Sequence, residues 1–285
     1  MNYFSERLLE AQLENYQDWS QQGRELYDRG YYEEALNHYE KALEYQPDNY
    51  KIWYDRGRAL EKLSYHGKAL DSYHQAARLN PHHYWSWYEM GCIALDELQE
   101  YERAIVYFQK ALRVRPDDYW SYYKQGEAWR KSQNQEEAIA CFEQALDFRP
   151  DDFWCFYRQG DAYRETGDFQ RALLFYERAL QIKPTDFWSW YRRGNMLQKQ
   201  GFLFSAILSY SRALEIDCEN DLLWYEQAIC YTLLGDINGV MRALEQAILL
   251  KPNKYMVLAE SKKIFAEVRE KKEFRVVLQN LKEKS

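Results

Sequence analysis

The sequence predicts an all-α protein, an α-solenoid of tandem helix–turn–helix units. Three observations predict it: a glycine column at fixed spacing, two alanine columns with an aromatic between them in the same register, and a proline that closes most units. Glycines stand at Gly23, Gly57, Gly91, Gly126, Gly160 and Gly194, at steps of 34, 34, 35, 34 and 34 residues, with Ala228 one further step of 34 along. Alanines follow at Ala35, Ala69, Ala104, Ala138, Ala172 and Ala206, and again seven residues later at Ala42, Ala76, Ala111, Ala145, Ala179 and Ala213. Between them lie Tyr39, Tyr73, Phe108, Phe142, Tyr176 and Tyr210. Pro47, Pro81, Pro116, Pro150, Pro184 and Pro252 close units, and Cys218 is the one departure. A period of this length marks a stacked array rather than one globular core.

Each column has a packing reason. Two helices cross closely only where one presents Gly or Ala and the other inserts a large side chain beside it, so the small columns mark crossings and the aromatics fill the space. Proline lacks the amide that a continuing helix needs. The acids after it, Asp48, Asp117/Asp118, Asp151/Asp152 and Asp186, can cap the next helix. His82 and His83 replace them once, which predicts a weaker junction there. The third unit holds one extra residue between Gly91 and Ala104, which predicts a local change of superhelical pitch.

Taken in order, residues 1–15 read as a capping helix, because a solenoid must cover its terminal apolar surface. Seven units follow at 16–49, 50–83, 84–118, 119–152, 153–186, 187–220 and 221–254. Residues 255–285 read as a helical cap with helices over Met256 to Val268 and Glu273 to Leu281, burying Leu258, Ile264, Phe265, Val268, Phe274, Val277 and Leu278.

The 285 residues are 46% hydrophobic and 17% aromatic with only 6 Pro and 12 Gly, which excludes a disordered or collagen-like chain. A net charge of −7 argues against a protein that coats nucleic acid or anionic membrane. Glu6, Arg7, Glu10 and Glu14 interrupt what would be the apolar stretch of a signal peptide, and no later stretch approaches a membrane span. The five scattered cysteines lack a C-x-x-C, so neither a disulfide framework nor a zinc site is indicated, and a reducing, cytoplasmic setting fits. Peripheral membrane association stays open.

These columns resemble the tetratricopeptide repeat (TPR) family, whose pattern is W-x2-L-G-x2-Y, then A-x3-F, A and P over 34 residues. The stretch FWSWYRRGNMLQKQGFLFSAILSYSRALEID, from Phe187 to Asp217, is a good match. The resemblance implies a right-handed superhelix whose concave groove is lined by the first helix of each unit. The family's leucine before the glycine is here Gln22, Arg56, Met90, Gln125, Gln159, Arg193 and Gln227, which predicts a wetter seam within each unit.

Counting each unit from its first residue at about 100° per step, positions 2, 5, 6, 9 and 13 fall within about 60° of position 2, and position 4 lies about 160° away. Position 4 holds the family's packing aromatic: Trp19, Trp53, Trp87, Tyr122, Phe156, Trp190 and Trp224. Position 2 carries Trp85, Trp120, Trp154 and Trp188 in four successive units, where the family has no usual tryptophan. Position 5 adds Tyr88, Tyr123, Tyr157 and Tyr191. A stripe of indoles offers apolar anchors to an extended chain; packing against the neighbouring helix is the alternative.

Position 6 is Lys124, Arg158 and Arg192 in units four to six, one turn from each indole and within reach of its face. With Arg130, Lys131, Arg164 and Lys199 against Glu127, Asp161 and Glu165, the middle of the groove is expected to be positive and to suit an acidic segment bearing aromatic or proline side chains. The clamp for a terminal carboxylate known in the family is absent: its paired positions read Tyr123/Glu127 and Tyr157/Asp161 here.

No phosphate loop, nucleophile elbow or zinc-protease motif is present, and the five histidines are scattered, so neither catalysis, metal nor cofactor is expected. The reading is a non-enzymatic interaction scaffold that holds a protein or peptide segment, with no nucleic acid as partner. Two alternatives stay open: an assembly factor for a multi-subunit complex, photosynthetic ones being suggested by the resemblance alone, and a self-associating scaffold.

Overall fold

In a computed structural model of the chain, residues 18–272, 274–276 and 278–279 are described. The expected capping helix over residues 1–15 lies outside them, as do the side chain of Val277 and the end of the last helix. The described residues are helices joined by short turns, in two compact units, the first ending at Arg149 and the second beginning at Pro150.

The first unit holds α1 over residues 18–28, α2 (Tyr32–Tyr45), α3 (Tyr50–Lys62), α4 (His66–Leu79), α5 (Tyr84–Cys92), α6 (Tyr101–Val114), α7 (Tyr119–Lys131) and α8 (Gln135–Phe148). The second holds α9 (Phe153–Glu165), α10 (Phe169–Ile182), α11 (Phe187–Lys199), α12 (Leu203–Ile216), α13 (Asp221–Leu234), α14 (Ile237–Leu250), α15 (Pro252–Ser261) and α16 (Ala266–Arg269). Within each unit a leading helix pairs with the helix after it, and that helix packs on the next leading helix.

The glycine column is a steric requirement. A Cβ on Gly57 would stand 2.6 Å from Cε1 of Tyr73, and one on Gly160 would stand 2.7 Å from Cε1 of Tyr176. Those aromatics, with Tyr39, Phe108, Phe142 and Tyr210, are at most 1% exposed, and the alanines of both columns are fully buried. A second column governs the turn inside each pair. Gly30, Gly167, Gly201 and Gly235 adopt φ of +74° to +86°, and the equivalent Ser64, Gln99 and Gln133 are held at +61°, +56° and +67°.

The extra residue of the third repeat does not pass into the packing. It is absorbed in a π-helical turn over Ile93–Glu97, which widens the end of α5 by one residue. Gly91 still meets Phe108 as Gly57 meets Tyr73. The expected local change of pitch is thus met by a backbone adjustment that keeps Ala104 and Phe108 in register.

Asp118, Asp152 and Asp186 cap α7, α9 and α11, each accepting from the backbone N–H three residues on. At α3 the cap is Asn49 rather than Asp48, and at α13 it is Asn220. At α5 His83 makes no cap bond; its Nδ1 lies 2.8 Å from Ser86 Oγ.

The missing leucines leave a hydrogen-bonded seam. Arg56 donates to Ser72 Oγ at 2.6 Å and to Glu40 at 2.9 Å, and Arg193 repeats this with Ser209 at 2.6 Å and Glu177 at 2.9 Å. Gln227 donates to Ser211 Oγ at 2.8 Å. Both Ser72 and Ser209 are fully buried, so these bonds satisfy polar groups that water cannot reach.

The expected single helix over Met256 to Val268 is broken. Lys262 is extended (φ −69°, ψ 131°), a 3-10 turn over Lys263–Phe265 follows, and α16 is short. Arg269 donates to the backbone carbonyls of Lys262 at 2.7 Å and Ala259 at 3.2 Å across the break. The bend lets Phe265, Val268, Phe274 and Leu278 bury against Ala228, Val240, Leu244 and Ile248, while Leu258 and Ile264 are half-buried.

Candidate interaction surface

Position 2 of four leading helices places an indole at the surface. Trp85 and Trp120 in the first unit are 43% and 47% exposed, and Trp154 and Trp188 in the second are 50% and 56% exposed. The covered half of each ring is held by two aromatics of its own helix. Trp85 meets Tyr84 edge-on at 5.0 Å and Tyr88 at 6.0 Å, and Trp120 meets Tyr119 at 5.0 Å and Tyr123 at 6.4 Å. Trp154 meets Phe153 at 5.0 Å and Tyr157 at 6.1 Å; Trp188 meets Phe187 at 5.1 Å and Tyr191 at 6.0 Å. The edge-to-face geometry is favourable and fixes each ring before any partner arrives.

The position-5 tyrosines face the core. Tyr88, Tyr123, Tyr157 and Tyr191 lie 5.7 to 6.4 Å from Phe108, Phe142, Tyr176 and Tyr210 of their own second helices. Burial raises the Tyr88 and Tyr157 hydroxyls above their ordinary pKa. They buttress the indoles more than they present themselves.

Position 6 departs from expectation. Only Arg158 lies over its own indole, 6.0 Å from the Trp154 ring. Lys124 reaches back 28 residues to donate to Asp96 at 2.8 Å. Burial opposes the Lys124 charge most strongly, but that bond together with the charges of Asp96, Glu127 and the Cys92 sulfur holds the ammonium above its ordinary pKa. Arg192 turns to Asp161 at 3.6 Å and to the Tyr157 hydroxyl. Two further cations cover indoles from the end of the second helix. Arg115 lies 4.4 Å from the Tyr84 ring and 5.5 Å from Trp85, and Arg149 lies 4.1 Å from Tyr119 and 5.0 Å from Trp120.

The expected positive charge concerns the middle repeats, and ahead of them position 6 is acidic. In the first unit Asp55 and Glu89 occupy position 6 ahead of Lys124, and burial raises the pKa of both carboxyls. Basic side chains gather in the second unit, where Arg158, Arg164 and Arg192 all approach Asp161. The aromatic at position 1, Arg115, Arg149 and Asp96 are the participants that sequence reasoning did not single out. Their signal was present in the periodic aromatic–Trp dipeptide and in the basic residue before Pro116 and Pro150.

Burial pushes the Cys92, Cys141 and Cys230 thiols up to about 12, which makes them unreactive side chains at neutral pH. Among the described residues no group of three His, Cys, Asp or Glu side chains is placed to hold a metal ion, and no helix is long and apolar enough to cross a membrane.

Family models for "TPR repeat" match residues 23–64 and 160–201, and models for "Tetratricopeptide repeat" match 50–83 and 88–153. The chain belongs to the tetratricopeptide repeat family. Among solved structures, this TPR protein is similar to the C-terminal part of a TPR repeat-containing protein from Cytophaga hutchinsonii, at TM-score 0.73 and 18% identity over 85% of this chain and 99% of that one. It is also similar to a tetratricopeptide repeat protein from Parabacteroides merdae, at TM-score 0.61 and 15% identity over 90% and 99% of the two chains. A third is YrrB, described as a TPR protein with an unusual peptide-binding site, at TM-score 0.58 and 21% identity over 67% and 98%. At these identities the likeness is one of fold. No curated protein matches the chain significantly. The TPR fold is that of a protein-interaction scaffold.

Proposed function

We propose that this TPR protein is a non-enzymatic scaffold that binds an extended segment of a partner polypeptide along its leading helices, in their tryptophan-lined concave groove. Trp85 and Trp120 anchor it on the first unit, and Trp154 and Trp188 on the second. One observation carries the reading: four indoles about half exposed, each fixed in the same aromatic triad, at a position where the family pattern does not ask for tryptophan. Preorganised aromatic rings of this kind are the usual anchors of an interface. Peptide recognition by YrrB is a precedent on a similar fold. Arg158 supplies a polar contact beside Trp154, and Lys124 and Arg192, held by Asp96 and Asp161, add positive charge on the leading helices, which an acidic segment with aromatic or proline side chains fits. Assembly of a multi-subunit complex would use the same faces on a transient partner.

The test is a peptide-library selection on the full chain, followed by titration of the selected peptides against a variant with all four tryptophans replaced by alanine. Helix content by circular dichroism is expected to be retained and affinity to fall at least about tenfold, since each anchor is worth on the order of 1–2 kcal/mol. Equal affinity in the variant, or a selection that yields no binder, overturns the reading.

A further inference from the structure

We propose that Arg164 and Arg192, with Arg158 beside them, form a receptor for a single oxyanion, a carboxylate or a phosphate, on the leading helices of the second unit. α9 carries Arg158, Asp161 and Arg164 at steps of three, which sets them on one side of the helix, and α11 adds Arg192. The three guanidinium groups converge on one carboxylate. Arg158 Nη1 donates to Asp161 Oδ2 at 3.3 Å, while Nε of Arg164 and Nε of Arg192 each stand 3.6 Å from Oδ1. Asp161 is only 4% exposed, and its Oδ1 already accepts from the Tyr176 hydroxyl at 2.9 Å.

At 3.6 Å, Arg164 and Arg192 feel the charge of Asp161 without a hydrogen bond to it, and Nε of each is buried with no hydrogen-bond partner. A guanidinium presents five donors in a rigid fork that matches two oxygens of one anion. Arg164 spends one on Glu165 at 3.0 Å, and Arg192 one on the Tyr157 hydroxyl. The two side chains keep 25% and 28% of their surface open although Nε of each is buried, so a solvent-borne anion would meet their Nη donors. Asp161 holds the arginines together against their mutual repulsion, and it also lowers their attraction for a guest.

That second role makes the proposal specific. If the arginines serve only to neutralise Asp161, removing its charge leaves them with no function. If they form a receptor, removing it strengthens anion binding. Arg158 lies 6.0 Å from the Trp154 ring, so the anion would sit beside an aromatic anchor, as an acidic or phosphorylated side chain next to an apolar one would require. The identity of the guest as part of a peptide rests on the scaffold reading above; the receptor itself is tested separately with inorganic phosphate.

The full-length chain is titrated with inorganic phosphate at constant ionic strength, and the arginine Nε–H resonances are followed by NMR. Saturable shifts are expected at Arg164 and Arg192. They are expected to be lost in R164Q/R192Q and to saturate at roughly fivefold lower phosphate in D161N, because one opposing charge is gone. R164K/R192K keeps the charge that Asp161 needs and removes the fork, so it separates misfolding from lost recognition: phosphate binding is expected to weaken about tenfold while the melting temperature holds. Acetate, and paired peptides with glutamate or phosphoserine at one site, distinguish the two sources of the anion. No saturation in the parent chain, equal binding in R164K/R192K, or weaker binding in D161N overturns the proposal. Phosphate binding that persists while no selected peptide binds sinks the scaffold reading alone. Peptide binding that is indifferent to R164Q/R192Q, with no phosphate response, sinks this one alone.

Discussion

Glu89 gives the sharpest prediction of pH dependence. It is the sixth residue of its repeat, where Lys124 stands in the next one, and it lies half-buried on α5. Burial first, and then the charge of Glu61, push its carboxyl from 4.5 to about 7, with Arg58 and Lys62 in partial opposition. The folded chain therefore holds this proton over a window, between about 4.5 and 7, in which the unfolded chain has released it. Stability must fall as pH rises through that window and be level, for this group, on either side. A displacement of that size corresponds to about 3 kcal/mol at most. Solvent reaching the leading-helix surface screens the interaction, so roughly 1–2 kcal/mol is expected. Glu89→Gln keeps the shape without the charge. It is expected to stabilise the protein by roughly 1–2 kcal/mol at pH 8, to change it little at pH 4.5, and to remove most of the fall in between. Chemical unfolding at steps of pH from 4.5 to 8, parent against variant, measures this directly. Two parallel pH profiles would refute the reasoning, and so would a variant that is less stable at pH 8.

Two further substitutions test the repeat itself. Gly160→Ala places a methyl 2.7 Å from Cε1 of Tyr176, a ring pinned by its bond to Asp161 at 2.9 Å; overpacking should cost about 1–3 kcal/mol, exceed the roughly 1 kcal/mol that alanine adds to a helix, and lower the melting temperature, whereas a rise would show that the ring yields. Gln133→Gly relieves a φ of +67° that glycine adopts freely; the free energy of unfolding should rise by about 1 kcal/mol and the unfolding midpoint with it, and an unchanged midpoint would mean that the turn is not strained.

The columns could be read directly because each is a steric condition that repeats. Gly57 against Tyr73 is the same contact as Gly160 against Tyr176, so a spacing of 34 residues carries the information. The second glycine column was just as regular from Gly167 to Gly235, but Ser64, Gln99 and Gln133 interrupt it, because a turn tolerates a strained residue more readily than a crossing tolerates a methyl. The extra residue of the third repeat was visible too. Its outcome depended on whether the backbone or the packing yields, and full burial of Ala94 with near-full burial of Leu95 shows that the packing did not. Helix-wheel reasoning placed Lys124 beside Trp120 because it weighs only neighbours on one helix. Asp96 comes from the repeat before, and a charged partner outweighs a ring face at similar distance.

Tryptophans at positions 2 and 4 differ in how their indole N–H is spent. At position 4 the indole N–H of Trp53, Trp87, Trp190 and Trp224 is spent on the chain's own backbone, donating to the carbonyls of Pro47, Pro81, Pro184 and Cys218 at 2.7 to 3.0 Å. Even where cysteine replaces proline the bond is kept, so it is the carbonyl that position 4 reads, and the bond pins the turn between repeats. At position 2 the rings are held by two neighbouring aromatics, yet among the described residues none of the four donates its N–H to the protein. In the scaffold proposed above, an indole rigid on one edge and unspent on the other would meet a guest that offers the groups found at position 4: an apolar surface for the ring and a backbone carbonyl for the N–H. An extended polypeptide carries a backbone carbonyl at every residue, which is why the proposed guest is a peptide strand rather than a compact ligand.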